Sequence, residues 1–231
     1  MENVSMPSNS SARSGIFQEE IRHPLIIRWI AYFFSVLFHP LFIPAIAVWY
    51  LVYLQPGYFT GTPEDSKFMT VFKVAYNTIF FPALTVLLLK AVGFIKNIFL
   101  RTQKERIIPY VATNIFYFWM YLVLKNQYGI PPILTSYIFG IFLASSLGLL
   151  ANAYFKISMH ALGMGSLCGL ILVIIFSGFS YVVFLPAMII FLLTGFVCTS
   201  RLVVSNHTTF DIYTGILIAI LCQFVSYLFI G

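Results

Sequence analysis

The sequence predicts an all-α fold, a polytopic membrane helical bundle, and three observations carry that prediction. Hydrophobic residues make up 60% of the chain and charged residues only 9%, where a soluble domain carries about a quarter charged. Seven apolar runs are each long enough to cross the bilayer, since about 30 Å of hydrocarbon takes roughly 20 helical residues. Polar residues collect in the short connections between those runs.

Residues 1–22 are polar and serine-rich (Ser8, Ser10, Ser11, Ser14), a composition that cannot bury enough apolar surface to fold. This segment reads as a disordered or surface-lying tail. It lacks the short apolar core and small-residue cleavage site of a secretory signal, so the run from Pro24 onward is expected to be retained, within one membrane domain at 23–231. The first span, 25–53, is long and interrupted by His39-Pro40 and Pro44, which predicts a tilted or kinked helix. The others are expected at 69–95, 107–125, 131–155, 158–178, 181–200 and 210–230, with Pro82 and Pro186 as candidate bends. His39 reads as part of a helix bend, and Lys73 and Lys90 as snorkelling cations near helix ends. Cys168, Cys198 and Cys222 all lie in apolar runs, as small buried hydrophobes without disulfide or metal spacing.

The net charge of +6 arises from basic residues concentrated in loops. That pattern encodes topology and anionic headgroup contact, and no nucleic-acid partner is expected. The connections 96–106, 156–160 and 201–209 are separated by two spans each, so they share one membrane face. Lys96, Arg101, Lys104, Arg106, Lys156, His160, Arg201 and His207 converge there, whereas 54–68, 126–130 and 179–180 on the other face hold little but Glu64, Asp65 and Lys67. Three polar clusters at one face have the layout of an active site. About ten of the thirteen Lys and Arg residues fall on that side with the N-terminus, which the positive-inside rule reads as cytoplasmic.

The chemistry is densest near the C-terminus, where Ser200-Arg201 is followed by His207 and Asp211 in the spacing SR-x5-H-x3-D. Asp211 is the only acidic residue after Glu105. In a helix, His207 and Asp211 lie one turn apart on one face, where a carboxylate can select an imidazole tautomer. Arg201 offers a fixed fork for phosphate or carboxylate. The plainer alternative is a helix end with a basic residue, a histidine and a capping aspartate. In the middle cluster, Lys156-Ile157-Ser158-Met159-His160, Ser158 is a natural N-cap, and the helix start behind it a ready anion site beside His160.

With these residues in view the chain resembles the type 2 phosphatidic acid phosphatase superfamily of integral membrane phosphatases. That family carries the motifs KxxxxxxRP, PSGH and SRxxxxxHxxxD. Ser200, Arg201, His207 and Asp211 match the third at every defining position, and Ser158-Met159-His160 keeps the serine and histidine of the second but loses its proline and glycine. In the first motif, placing Pro109 on the proline puts Arg101 at the lysine position and Ile108 at the arginine position, with Lys104 and Arg106 nearby.

The resemblance covers about residues 69–230 and implies a six-helix phosphatase core plus one extra N-terminal helix. It implies that His207 is the nucleophile, forming a phosphohistidine intermediate, with Asp211 orienting its ring. His160 would protonate the leaving alkoxide and later activate water. Arg201, Ser158, Arg101, Lys104 and Arg106 would hold the phosphoryl oxygens. No metal or other cofactor is expected, and the expected partners are a phosphorylated lipid and the bilayer, in a bacterial inner membrane. Many bacterial relatives of this kind face the extracytoplasmic side, so sidedness stays open. Two other readings remain: a catalytically weak phospholipid-binding or scaffold relative, and a lipid phosphotransferase.

Overall fold

The computed structural model describes residues 24–95, 103–178, 183–205 and 207–231. The serine-rich segment 1–22 lies outside the described residues, as do Lys96, Arg101 and the 179–180 connection. Among the described residues the regular structure is entirely helical. Six helical stretches are long and apolar enough to span a bilayer: Glu64–Ala91, Ile107–Lys125, Pro132–Tyr154, Met159–Phe176, Phe184–Val204 and Thr209–Ile230. The protein is a multi-pass integral membrane helical bundle.

The first expected span is corrected. In place of one kinked helix over 25–53, the chain forms α1 (Leu25–Leu37) and α2 (Ile43–Trp49), the latter extended by a π turn to Leu54. Pro40 disfavours helical backbone at His39 and has no N–H to continue the ladder. Pro44 sits in the first turn of α2, a position that needs no N–H donor. The two prolines therefore close one helix and open the next. Helix α1 packs on α8 (Phe184–Val204), and α2 on α7 (Met159–Phe176) and α3 (Glu64–Ala75). Its buried residues, Ala31 and Ser35, are one turn apart, while Leu25, Ile26, Trp29 and Phe33 are exposed on the lipid-facing side.

Helix α3 passes through a π turn at Tyr76–Phe80 into α4 (Phe81–Ala91). Pro82 cannot donate to the carbonyl of Thr78, and a widened turn just before it absorbs the lost bond. This span starts five residues earlier than expected, at Glu64. Glu64 and Asp65 occupy its first turn, where acids complement the helix dipole. At the other end, Phe94 donates to the Leu89 carbonyl and Gly93, at φ +85°, to that of Lys90. This is a Schellman ending, which favours glycine at the left-handed position.

Helices α5 (Gln103–Lys125) and α6 (Pro132–Tyr154) follow, and pack through rings, Phe118 on Phe142 and Tyr121 on Phe139. Helices α7 (Met159–Phe176), α8 (Phe184–Val204) and α9 (Thr209–Ile230) complete the bundle. Pro186 falls in the first turn of α8, where proline does not break the ladder.

The centre is a seam of small residues between α7 and α9. Ala161, Gly165 and Gly169 recur every four residues and face Gly215, Ala219 and Gln223. A Cβ at Gly165 would lie 2.8 Å from the Ile216 Cα, and one at Gly169 3.2 Å from the Ile220 Cα. Backbones can approach this closely only where side chains are absent, which is how helices associate in lipid. Helix α6 packs on both α9 and α7, and Ser226 of α9 donates to the Ser136 carbonyl at 2.6 Å.

Gly165→Ala should lower the thermal unfolding midpoint in detergent, corresponding to about 1–3 kcal/mol of overpacking. Gly195→Ala, whose added methyl meets nothing within 4 Å, should leave the midpoint within a degree or two. Equal midpoints for the two variants would show that the seam opens without cost.

Candidate active site

Two of the three clusters meet where α7 and α9 begin. Thr208 caps α9: its hydroxyl accepts from the Asp211 amide at 3.2 Å, and its own amide donates to Asp211 Oδ2 at 2.8 Å. This reciprocal capping box fixes the Asp211 carboxylate at the helix start. The Asp211 carbonyl then accepts from the Ser158 amide at 3.3 Å. The start of α9 is thus tied directly to the cap of α7.

His207 hangs between these anchors. It is 8% exposed, and its Nδ1 lies 3.1 Å from the Lys156 carbonyl oxygen and 3.5 Å from Asp211 Oδ2. A carbonyl oxygen only accepts, so Nδ1 carries the proton and donates it. In the neutral ring this leaves the basic lone pair on Nε2. Asp211, one turn on, reinforces the same tautomer while its Oδ2 also serves the cap.

His160, in the first turn of α7, is held through Nε2, which donates to the Ser35 carbonyl at 2.9 Å. Its Nδ1 is then the nitrogen that can exchange a proton. Arg201, in the last turn of α8, donates from Nη1 to Ser35 Oγ at 3.0 Å. One residue of α1 therefore holds two of the expected site residues, one by its carbonyl and one by its hydroxyl.

His160, Arg201 and His207 all line one cavity of about 390 Å³. His39 joins them, its ring meeting that of His160 edge-on at 5.6 Å between centroids. These groups come from helix ends and turns at one face of the bundle. From there the wall continues along α5 through Pro109, Tyr110 and Tyr117, and along α6 through Ser145, Ile141 and Tyr137. At 1.5 Å per residue, Tyr137 is about 12 Å along α6 from Ser145. The cavity thus runs from a polar pole into the apolar interior of the bundle.

The remaining expected residues are placed differently. Ser158 is fully buried, its hydroxyl accepts from the Ala161 amide at 3.4 Å, and it is not among the cavity-lining residues. It serves as an ordinary N-cap. Asp211 stands behind His207 and off the cavity wall. Arg101 lies outside the described residues, and Lys104 and Arg106 fall in the first turn of α5 with side chains outside the described part. Among the described residues, no three histidine, cysteine or carboxylate groups converge as a metal site.

Four contributors escaped the sequence reading: Ser35, His39 as a lining group, the Lys156 carbonyl and Thr208. Only Thr208 had a readable signal, since Thr208-x-x-Asp211 before an apolar run spells a capping box. Comparison with family models, curated proteins and solved structures returns no match for this chain.

Thr208→Ala should cost about 1 kcal/mol of stability, the usual loss for an N-cap hydroxyl. Thr208→Ser, which keeps the acceptor, should restore it. The check is the pair of thermal midpoints, and equal loss in both variants would mean that the methyl group, rather than the cap, is what matters.

Proposed function

We propose that this protein is an integral membrane phosphatase, hydrolysing the phosphomonoester or diphosphate of a lipid through a phosphohistidine intermediate in the inner membrane of a bacterium. The observation that carries this reading is one cavity lined by His160, Arg201 and His207 that continues between apolar helices. A phosphorylated amphiphile matches both ends of such a space: a charged head for the polar pole and a chain for the apolar wall. The sequence resemblance points the same way.

The chemistry follows from the tautomers. His207 Nε2, made the basic nitrogen by the Nδ1–H to Lys156 bond, attacks phosphorus as the bond to the leaving alkoxide breaks. His160, starting as imidazolium, gives its Nδ1 proton to that alkoxide and is left neutral, its Nε2–H being held by the Ser35 carbonyl. The Nδ1 proton of His207, facing Lys156 and Asp211, stabilises the positive charge that grows on the phosphorylated ring. Arg201 offsets the negative charge shifting among the phosphoryl oxygens. In the second half, His160 takes a proton from water as its oxygen attacks phosphorus. The phosphorus–nitrogen bond breaks, and phosphate leaves with His207 neutral again.

Two observations favour a second reading, phospholipid binding without turnover. The Ser158 hydroxyl is committed to capping, and Ile108 stands where the resemblance expects an arginine.

The test is phosphate release by purified protein offered phosphatidate, phosphatidylglycerophosphate and a polyprenyl diphosphate in detergent. Release from at least one lipid is expected, and it should vanish in His207→Ala. His160→Ala should reduce it by about 10²–10⁴-fold, the usual range for a lost acid–base group. No release from any of the three by folded protein, with lipid binding that depends on Arg201, would replace the phosphatase with the binding reading.

A further inference from the structure

Segment 35–39 lies at the end of α1, outside the six long spans, yet it reaches the polar pole of the cavity. Ser35 is buried, at 6% exposure, and its two polar contacts go to two different site residues: Oγ accepts from Arg201 Nη1 at 3.0 Å and the carbonyl from His160 Nε2 at 2.9 Å. These partners are 166 and 125 residues away in sequence. A serine in a lipid-exposed helix has no solvent to face, and here its hydroxyl is turned inward onto a cation.

His39 follows one turn later and lines the same pole. The Leu41 amide donates to its Nδ1 at 3.4 Å, so the neutral ring carries its proton on Nε2 and is a donor there. On the opposite wall, α5 contributes Pro109 and Tyr110 to the cavity while its neighbour Ile108 is 42% exposed and off the lining. Among the described side chains, α5 brings Pro109, Tyr110, Thr113 and Tyr117 to the lining. The α1–α2 turn adds an imidazole N–H to that lining.

We propose that the α1–α2 turn is a working wall of the phosphate site, with Ser35 as the positioning residue for Arg201 and His160 and with His39 as a further N–H donor to the bound phosphate. This rests on the reading of the cavity as a phospholipid site. Arginine carries five N–H donors. The bond to Ser35 Oγ fixes the plane of the guanidinium, so the fork is preorganised before ligand arrives. The Ser35 carbonyl does the same for His160 by committing Nε2 and leaving Nδ1 for proton transfer.

Dodecyl phosphate serves as the probe for the full chain in detergent. Its affinity is measured by calorimetry in the His207→Ala background, which reads binding whether or not the protein turns over. Ser35→Ala should weaken binding about tenfold, the scale of a lost hydrogen bond to a charged group. Ser35→Thr, which keeps the hydroxyl, should restore most of it, and a purely packing role predicts no such rescue. His39 is exposed, so His39→Ala should fold normally and lose about three- to tenfold in affinity, with His39→Gln recovering part through its amide donor. With His207 intact, Ser35→Ala should also lower kcat/KM for phosphate release from dodecyl phosphate. Parent-like affinity in both alanine variants at unchanged thermal midpoints would overturn the proposal. Absent phosphate release with these affinity losses intact would overturn the phosphatase reading and leave the wall standing as part of a binding site.

Discussion

The architecture of the site depends on how closely α7 and α9 approach. Both helices begin at the same face, and the backbone contact at Gly165 and Gly169 sets their axes near the limit of what side chains allow. Gly215 extends the seam to the site itself, where an added Cβ would sit 3.3 Å from the Ser158 carbonyl oxygen. Only at that separation can the Ser158 amide reach the Asp211 carbonyl. Once those two caps are joined, the residue just before the α9 cap, His207, must meet the chain just before the α7 cap, which is the Lys156 carbonyl. Imidazole orientation is therefore a consequence of small residues a full turn or more deeper in the bundle. No water in the hydrocarbon can substitute for such contacts, so packing takes the part that solvent-driven burial plays in a soluble core.

The lone carboxylate of the C-terminal half shows how a buried acid can be retained at tolerable cost. An unpaired carboxylate in an apolar medium is strongly disfavoured. Asp211 escapes this by accepting from the Thr208 amide, standing at the positive end of α9 and facing the Nδ1–H of His207. The catalytic and the capping readings of this residue are thus the same geometry. A carboxylate held rigidly by a capping box is a better orienting group than a mobile one, because its own freedom has already been spent on the helix start. The Lys156 carbonyl carries the shorter of the two contacts to Nδ1, so ring orientation depends on backbone as well as on the acid.

Much of the fold was legible because hydropathy reports what lipid demands. The five spans from α5 onward fall within a few residues of their expected bounds, since each is a long apolar run, and α6, α7 and α9 are opened by Pro131, Ser158 and Thr208. The first span was misread. The interruption at His39-Pro40 is visible in the sequence but reads as a kink, whereas the restriction that proline places on its predecessor ends the helix outright, with residues 38–42 between α1 and α2. At the site, His160, Arg201 and His207 were legible because polar residues at the ends of apolar runs are expensive and few. Ser35 was illegible. A single serine inside LIIRWIAYFFSVL carries no periodic or spacing signal, and its partners are set by the packing of α1 on α8, which no local pattern encodes.

The same packing changes what the N-terminal helix means. A peripheral helix added for anchoring would present apolar side chains on every side, and α1 does so on its lipid face through Leu25, Ile26, Trp29 and Phe33. Its inner face is different. Phe34 stacks on Phe196 of α8 at 5.5 Å between centroids, and this ring contact brings the next residue, Ser35, level with Arg201. Apolar packing thus fixes the register, and the polar contacts use it. Because the chain must then turn at His39-Pro40 to start α2 beside α7, the break that ends α1 also sets an imidazole at the cavity mouth. The proline pair that splits the first run into two short helices is also what sets Ser35 and His39 on the cavity lining.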